Sequence, residues 1–148
     1  MTHPVITLRA ATIEDLHFAR QLYLETMRYI TDRLPDFDEA RLTASLTEPF
    51  LPHEVRIIVA EDKDIGWLQV SEADDQIFLK QMFLQPAWQR RGIGSRLLTE
   101  LIECGRQAGK PVKLGVVKIN PATRLYRRFG FAITSEDNFK YYMEKRPE

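Results

Sequence analysis

The feature that most restricts the fold is a junction of three segments. The apolar run Ile77 to Leu84 is followed by the hexapeptide Gln89-Arg90-Arg91-Gly92-Ile93-Gly94 and by a long amphipathic stretch that begins at Ile93. The junction reads as a strand, a tight loop and a helix start. From Ile93 onward, Leu97, Leu98, Leu101, Ile102 and Ala108 recur on one helical face, and Gly109 with Pro111 ends the run. Two glycines two residues apart let backbone approach a ligand closely, and the N–H groups of a first helical turn have no partner within the helix. With the positive end of the helix dipole behind them, residues Arg90 through Ser95 form a candidate phosphate cradle. An ordinary loop before a helix would fit the same two glycines.

The rest of the chain supplies the elements around that junction. Val5 to Arg9 predicts a first strand, and Thr12 with Asp15 predicts a capping box that opens a helix bearing Leu16, Ala19, Tyr23, Met27 and Ile30. Leu34-Pro35 stops that helix, and Asp38 to Leu46 predicts a second, shorter one. Val55 to Ala60, Ile65 to Val70 and Ile77 to Leu84 predict three antiparallel strands, with a hairpin at Asp62-Lys63-Asp64 and a polar turn at Glu72 to Asp75. Beyond the long helix come a strand at Val112 to Val117, a helix at Pro121 to Phe129 closed by Gly130, and strands at Phe131 to Thr134 and Phe139 to Met143. The order β-α-α-β-β-β-α-β-α-β-β implies an α/β chain with a mixed sheet, because strand-helix-strand units pair in parallel and tight turns pair antiparallel. No repeat, low-complexity segment or linker divides residues 1–148, so one domain is expected.

Composition excludes several function classes. The 148 residues are 44% hydrophobic, enough apolar surface for a sizeable core. Its 21 basic and 21 acidic side chains cancel, so no global field favours nucleic acid or an anionic membrane. No run approaches the roughly 20 apolar residues of a membrane span, the first residues lack a signal-peptide pattern, and a cytoplasmic location is expected. Cys104 stands alone, which excludes an internal disulfide, and its neighbours Leu101, Ile102 and Ala108 predict a packed structural thiol. His3, His17 and His53 share no spacing, and no metal site is expected.

The hexapeptide lacks the third glycine of a dinucleotide fingerprint, wanted near Leu97, and the Gly-Lys-Ser/Thr of an ATP loop. Gln89, Gly92 and Gly94 match instead the pattern Gln/Arg-x-x-Gly-x-Gly/Ala, preceded by the strand-Pro-aromatic lead-in Met82-Phe83-Leu84-Gln85-Pro86-Ala87-Trp88. Downstream, Asn120-Pro121-Ala122-Thr123-Arg124-Leu125-Tyr126-Arg127-Arg128-Phe129-Gly130-Phe131 carries Asn, Ala, Tyr and Gly-Phe in order, and Tyr141-Tyr142-Met143-Glu144-Lys145 follows as a last strand. On these residues, which span the last half of the chain, it resembles the GNAT superfamily of N-acetyltransferases. The resemblance implies a GNAT-like acyl-CoA N-acyltransferase fold and acetyl-CoA as cosubstrate. It also implies direct transfer of acetyl to a primary amine of a small molecule, protein or peptide in a ternary complex, with no acyl-enzyme.

By the same resemblance, Gln89, Arg90, Arg91, Gly92, Ile93, Gly94 and Ser95 surround the pyrophosphate, and the two arginines stand close to the 3′-phosphate. The pantetheine arm lies like an added strand between the strand ending at Leu84 and the one holding Val116, which splay apart at a bulge. Phe83 and Leu84 offer backbone groups to it, and the Leu84 N–H faces the thioester oxygen where charge develops. Asn120 contacts the pantetheine, and it also reads as a helix cap before Pro121. Tyr126 protonates the departing thiolate, and its spacing with Ala122 and Phe129 also reads as core packing.

The base is the weak element of this picture. An amine with a pKa of roughly 10.4 must lose a proton before it attacks, yet Ile77 to Leu84 holds no carboxylate, where many relatives place one. Glu72, Asp74 or Glu25 acting through water, or an amine that arrives uncharged, remain open. Asp32, Asp36, Asp38 and Glu39 form an acidic cluster that suits either a cationic amine or a solvated loop. The missing carboxylate motivates an alternative, a non-catalytic acyl-CoA-binding or regulatory module of the same fold. Arg90, Arg91, Arg127 and Arg128 make no basic stripe, so no nucleic-acid partner is expected. The expected partner is an amine acceptor that the sequence does not define, and a homodimer stays open.

Overall fold

The structure, a computed structural model, describes residues 5–32 and 50–148. The second helix expected at Asp38 to Leu46, the stop at Leu34-Pro35 and the acids Asp36, Asp38 and Glu39 lie outside the described residues. Along the chain run β1 (Ile6–Ala10), α1 (Leu16–Thr31), β2 (Val55–Ala60), β3 (Lys63–Glu72) and β4 (Ile77–Leu84). These are followed by α2 (Ile93–Ala108), β5 (Val112–Val117), α3 (Ala122–Arg128), β6 (Ala132–Glu136) and β7 (Lys140–Lys145). The strands form one mixed sheet in the order β1-β2-β3-β4-β5-β7-β6, in which only β4 and β5 pair in parallel.

Two apolar layers flank this sheet. Leu79 of β4, Leu114 of β5 and Met143 of β7 pack with Leu97 and Leu98 of α2 and Tyr126 of α3 on one face. On the other face Ala19, Leu22 and Met27 of α1 cover Ile57, Trp67 and Phe83, and the Trp67 indole N–H donates to the Ala19 carbonyl at 3.1 Å. The expected capping box is present ahead of α1: Thr12 Oγ1 accepts from the Glu14 N–H and Asp15 accepts from the Thr12 N–H at 2.9 Å. Arg9 clamps the same Asp15 at 2.7 Å and reaches Asp64 at 3.0 Å, tying the helix entrance to the β2–β3 hairpin.

Four expectations change. The hairpin turns at Glu61-Asp62, both at positive φ, one residue earlier than predicted, because a two-residue loop of this hand suits the strand twist even without glycine. β1 and β2 pair antiparallel although a helix lies between them in sequence, because β2 begins at Val55 beside the end of β1, where the Ala11 N–H donates to the Val55 carbonyl at 3.3 Å. β7 inserts between β5 and β6, so that strand-helix-strand unit is parallel in direction without being paired. Cys104 is exposed, as is Ala108. The last turns of α2 meet β5 through Gly105, about 100° further round the helix, where an added Cβ would lie 2.9 Å from Val112.

Candidate active site

The site begins with a parallel pairing that stops short. β4 and β5 are in register for only three pairs, Ile77 with Val112, Phe78 with Lys113 and Leu79 with Leu114, and both strands continue beyond without each other. The cause lies on the other edge of β4. Its register with β3 steps from Val70 opposite Leu79 to Gln69 opposite Gln81, which leaves Lys80 as the extra residue of a bulge. The bulge also inverts the pleat. Ile77 and Leu79 face the α2 side, whereas Phe83, which strict alternation would place with them, packs on the α1 side against Trp67 at 5.2 Å and Tyr23 at 5.6 Å between ring centroids. The opening holds a cleft of about 230 Å³ lined from both layers, with Leu79, Met82, Val116 and Tyr126 from one and Met27, Phe83 and Val117 from the other.

Ladder alternation tells which backbone groups face this gap. The Gln85 N–H donates to the Ile65 carbonyl at 2.8 Å, so Leu84, opposite Gly66, is a non-hydrogen-bonded pair whose N–H and C=O point away from β3. Met82 does the same two residues earlier. Phe83 is turned the other way, and its carbonyl lies so near β3 that a Cβ on Gly66 would meet it at 2.3 Å. Of the two expected backbone contributors, Leu84 therefore faces the gap and Phe83 offers only its ring. Across the gap the same reasoning applies to β5. The Lys118 N–H bonds Phe139 at 2.8 Å, so Val117 and Gly115 direct their backbone away from β7 and toward β4.

Directly after Leu84 the chain makes one turn at Pro86–Trp88 and enters the glycine loop. Gln89 is exposed, and its amide donates to the Leu84 carbonyl at 2.9 Å, so it pins the loop to the strand end. Arg90 takes φ 62° and Gly92 φ 81°, a left-handed kink at the helix N-cap. The first helical bond is Arg96 N–H to Gly92 O at 3.0 Å, so the amides of Ile93, Gly94 and Ser95 precede the ladder, and no side chain caps them. Ile93 buries its side chain in the core and offers only its amide. Gly94 is helical, and its small size admits Leu125, whose Cδ2 would lie 3.3 Å from a Cβ there. Arg91 stacks over the Trp88 ring at 4.9 Å and, with Gly92, Ser95 and Arg96, lines a second open depression of about 540 Å³.

At the far side of the gap Asn120 Oδ1 accepts from the Ala122 N–H at 2.9 Å and its own N–H donates to Val117 at 2.8 Å, so it shapes the entry to α3 while lining the cleft. Tyr126 lines the cleft from α3. It is 7% exposed, its ring meets Phe131 edge-on at 6.0 Å, and burial pushes its phenol up to about 12. The site therefore joins a strand-edge gap, a row of uncapped amides and a buried phenol.

Residues 53–133 match the acetyltransferase (GNAT) domain family, a stretch that includes β4, the glycine loop, α2, β5 and α3. The chain belongs to the GNAT acetyltransferase family. A human relative, cysteine-rich protein 2-binding protein, is 34% identical over 92 residues, which are 62% of this chain and 11% of that protein, so the chain spans only about a tenth of this curated relative. The fold is shared with the PaiA N-acetyltransferase from Thermoplasma acidophilum, solved in complex with coenzyme A, at TM-score 0.73 and 20% identity over 96% of this chain and 99% of that one. It is shared also with the ribosomal-protein-S18-alanine N-acetyltransferase from Escherichia coli, at TM-score 0.64 and 20% identity over 97% of this chain and 95% of that one.

Within this GNAT scaffold the α1 side of the cleft differs from expectation. Glu72 pairs with Lys110 at 2.6 Å, and Asp74 sits in the β3–β4 turn, so both lie at the end of β4 away from Leu84. Glu25 is exposed on α1 beside Gln21. None of the three lines the cleft. Sequence reasoning missed Glu54, just ahead of β2, whose Oε1 accepts from Gln69 at 3.0 Å and from Lys80 at 2.9 Å. Burial pushes the Glu54 carboxyl up, but these two hydrogen bonds, together with the charges of Lys80 and His53, outweigh it and leave its pKa lowered. Gln69, 1% exposed, was a weak signal for such a partner, since a buried amide needs one. Asp137 similarly accepts the Tyr142 hydroxyl at 3.0 Å and two backbone amides of its own hairpin.

Proposed function

We propose that the protein is an N-acetyltransferase that uses acetyl-CoA and passes the acetyl group directly to a primary amine held beside the gap. The observation that carries this reading is the cleft through the sheet, with outward backbone groups on both sides and Tyr126 at its wall. Met82 and Leu84 on β4, with Gly115 and Val117 on β5, pair with the amide groups of the pantetheine arm as with an added strand. The amides of Ile93, Gly94 and Ser95 take the pyrophosphate, with Arg91 and Arg96 beside them supplying charge.

Two roles follow from the geometry. Met82 lines the cleft and Leu84 does not, so the Met82 N–H is the better donor to the thioester oxygen as it gains charge, with Leu84 anchoring the arm next to Gln89. Tyr126 donates a hydrogen bond to the departing sulfur. From a phenol near 12, complete transfer to a thiolate of ordinary pKa about 8.5 would be uphill by roughly 5 kcal/mol, so the hydrogen bond itself is the stabilising element. Ile77 to Leu84 holds no carboxylate, and in this reading the amine proton departs through water or the amine enters uncharged. The same missing strand carboxylate motivates a second reading, an acyl-CoA-binding module without transfer chemistry.

A thermal melt with coenzyme A tests the donor site. A ligand at about 100 times its dissociation constant stabilises by roughly 2.7 kcal/mol, and no shift sinks both readings. Release of coenzyme A thiol on adding a panel of amines then separates enzyme from binding module.

A further inference from the structure

We propose that the Tyr142 oxygen accepts a hydrogen bond from the attacking amine, and that Asp137 is the positioning residue that turns the phenol to this task. The inference rests on the transfer reading above. In that reading Tyr126 stands beside the sulfur on the α3 side of the gap, so the amine reaches the thioester from the α1 side. Tyr142 lines the cleft on that side. Its β7 neighbours Tyr141 and Met143 pack toward α2, so its ring projects to the opposite face. There the ring lies over Gly115, its partner in β5, where an added Cβ would meet the ring edge at 3.3 Å. The bare glycine is what lets the ring lie along the cleft.

The hydroxyl is fixed by a chain of hydrogen bonds. It donates to Asp137 Oδ2 at 3.0 Å, and Asp137 is anchored in turn, because its Oδ1 accepts the Phe139 and Lys140 N–H groups, each at 2.7 Å. Those two amides, with the Tyr142 hydroxyl and the charge of Lys140, hold the Asp137 carboxyl below its usual range and therefore ionised. The bond to Asp137 also pushes the Tyr142 phenol up, so the phenol keeps its proton at neutral pH. That single proton is committed to Asp137, so toward the cleft the oxygen can only accept. An amine nitrogen gains positive charge as it forms the C–N bond, which makes its N–H a better donor. The contact therefore strengthens toward the transition state, more so with a carboxylate behind the phenol. Tyr142 removes no proton from the amine; it orients the nitrogen and stabilises its growing charge. Asp137 does not line the cleft and acts only through the phenol.

Isosteric substitutions test this with propylamine, benzylamine and 1,4-diaminobutane as probes, each followed by thiol release at saturating acetyl-CoA. Tyr142→Phe keeps the ring over Gly115 and removes the acceptor oxygen, so kcat/KM for each accepted amine should fall roughly 10-fold. Asp137→Asn keeps a carbonyl for the two turn amides but sets an NH2 group against the phenol, which reverses the hydrogen bond and occupies the lone pair. Its loss should match, at roughly 10-fold. KM for acetyl-CoA should stay within about 2-fold of wild type in both variants, since neither residue meets the donor. The double variant separates positioning from upkeep of the turn: it should be no slower than either single one, whereas independent effects would multiply to roughly 100-fold. A single variant that transfers at the wild-type rate, a double variant that loses the product of the two, or loss of stabilisation by coenzyme A in either single one overturns the inference while transfer stands. No amine-dependent thiol release with any probe, from wild-type protein that coenzyme A stabilises, overturns the transfer reading and this inference with it.

Discussion

On the face covered by α2 and α3 the cleft is furnished by backbone; on the face covered by α1 it is furnished by side chains. The first side presents the backbone of Met82 at the cleft, with Asn120 and Tyr126 as polar side chains, and beyond it the amides of Leu84, Ile93, Gly94 and Ser95. The second presents Lys80, Lys140 and Tyr142, of which Lys80 is held by Glu54 and Tyr142 by Asp137. Backbone recognition suits a ligand that does not vary, because amides at a helix start or strand edge are set by fold and tolerate change in the side chains around them. Side-chain recognition suits a ligand that differs from protein to protein. Under the proposed function, the donor side is then set by fold geometry and the acceptor side by residue choice.

The largest effect expected from breaking the backbone side is Gly92→Val. At φ 81° a β-branched residue is strained, and the kink that aims the amides must unwind. We expect kcat/KM for acetyl-CoA to fall roughly 10³-fold and stabilisation by coenzyme A in a melt to disappear. A variant that still binds coenzyme A normally would mean that the loop conformation is not what holds the phosphates.

Tyr126→Phe comes next, with kcat falling about 10²-fold and KM for acetyl-CoA unchanged. The same phenol makes a stability prediction whose sign is fixed. Its folded pKa is raised to about 12 from 10, so the protein holds that proton more tightly than the unfolded chain does. The contribution is complete below pH 10 and is lost as pH climbs toward 12. Denaturant unfolding of wild type against Tyr126→Phe across that window should show wild type losing stability relative to the variant as pH rises, and parallel curves would rule out a buried phenol.

How much of this was legible in the sequence follows the same divide. The strands Ile77–Leu84 and Val112–Val117 were read to the residue, because apolar alternation with turn residues at both ends leaves little choice of boundary. The glycine loop could be read because a local backbone shape demands particular residues at short spacing, whereas Asn120 and Tyr126 were singled out by resemblance to the family, and the structure puts both on the wall of the cleft. The bulge at Lys80 could not, since Leu79-Lys80-Gln81-Met82-Phe83 carries no glycine or proline to mark it, and its consequence, the inverted side of Phe83, depends on a partner strand. Glu54 was hidden for the same reason: it meets Gln69 and Lys80 only after three strands have aligned. Cys104 looked buried because periodicity gives the centre of an apolar stripe better than its margin, and the sheet leaves that margin open.

On the side-chain face, Glu54→Gln should destabilise by about 2 kcal/mol, because it removes one charged partner from beside an ammonium whose side chain is only 16% exposed. The pH dependence carries the sign. Glu54 has a lowered folded pKa, so its contribution is present above the unfolded value and is lost as pH falls through the folded one. Wild type and variant should therefore converge in stability in acid, below about pH 4.5. A constant difference down to low pH would mean that the substitution acts through packing and not through charge.

The smallest expected effect is the sharpest check on the backbone side. Gly94 sits in the first turn of α2 in ordinary helical geometry, unlike Gly92, so its lack of a side chain answers to Leu125 alone. In Gly94→Ala the new methyl meets only the far end of that leucine, at 3.3 Å, which a small rotation relieves. Alanine also gains helix propensity over glycine, by up to about 1 kcal/mol in a helix interior and less near an end. The two terms nearly cancel, so stability should move by less than about 0.5 kcal/mol and KM for acetyl-CoA by less than about 2-fold. If Gly94→Ala instead abolishes coenzyme A binding, the ligand must pass where the methyl points, and the second glycine of the loop serves close approach to phosphate and not the packing of α3.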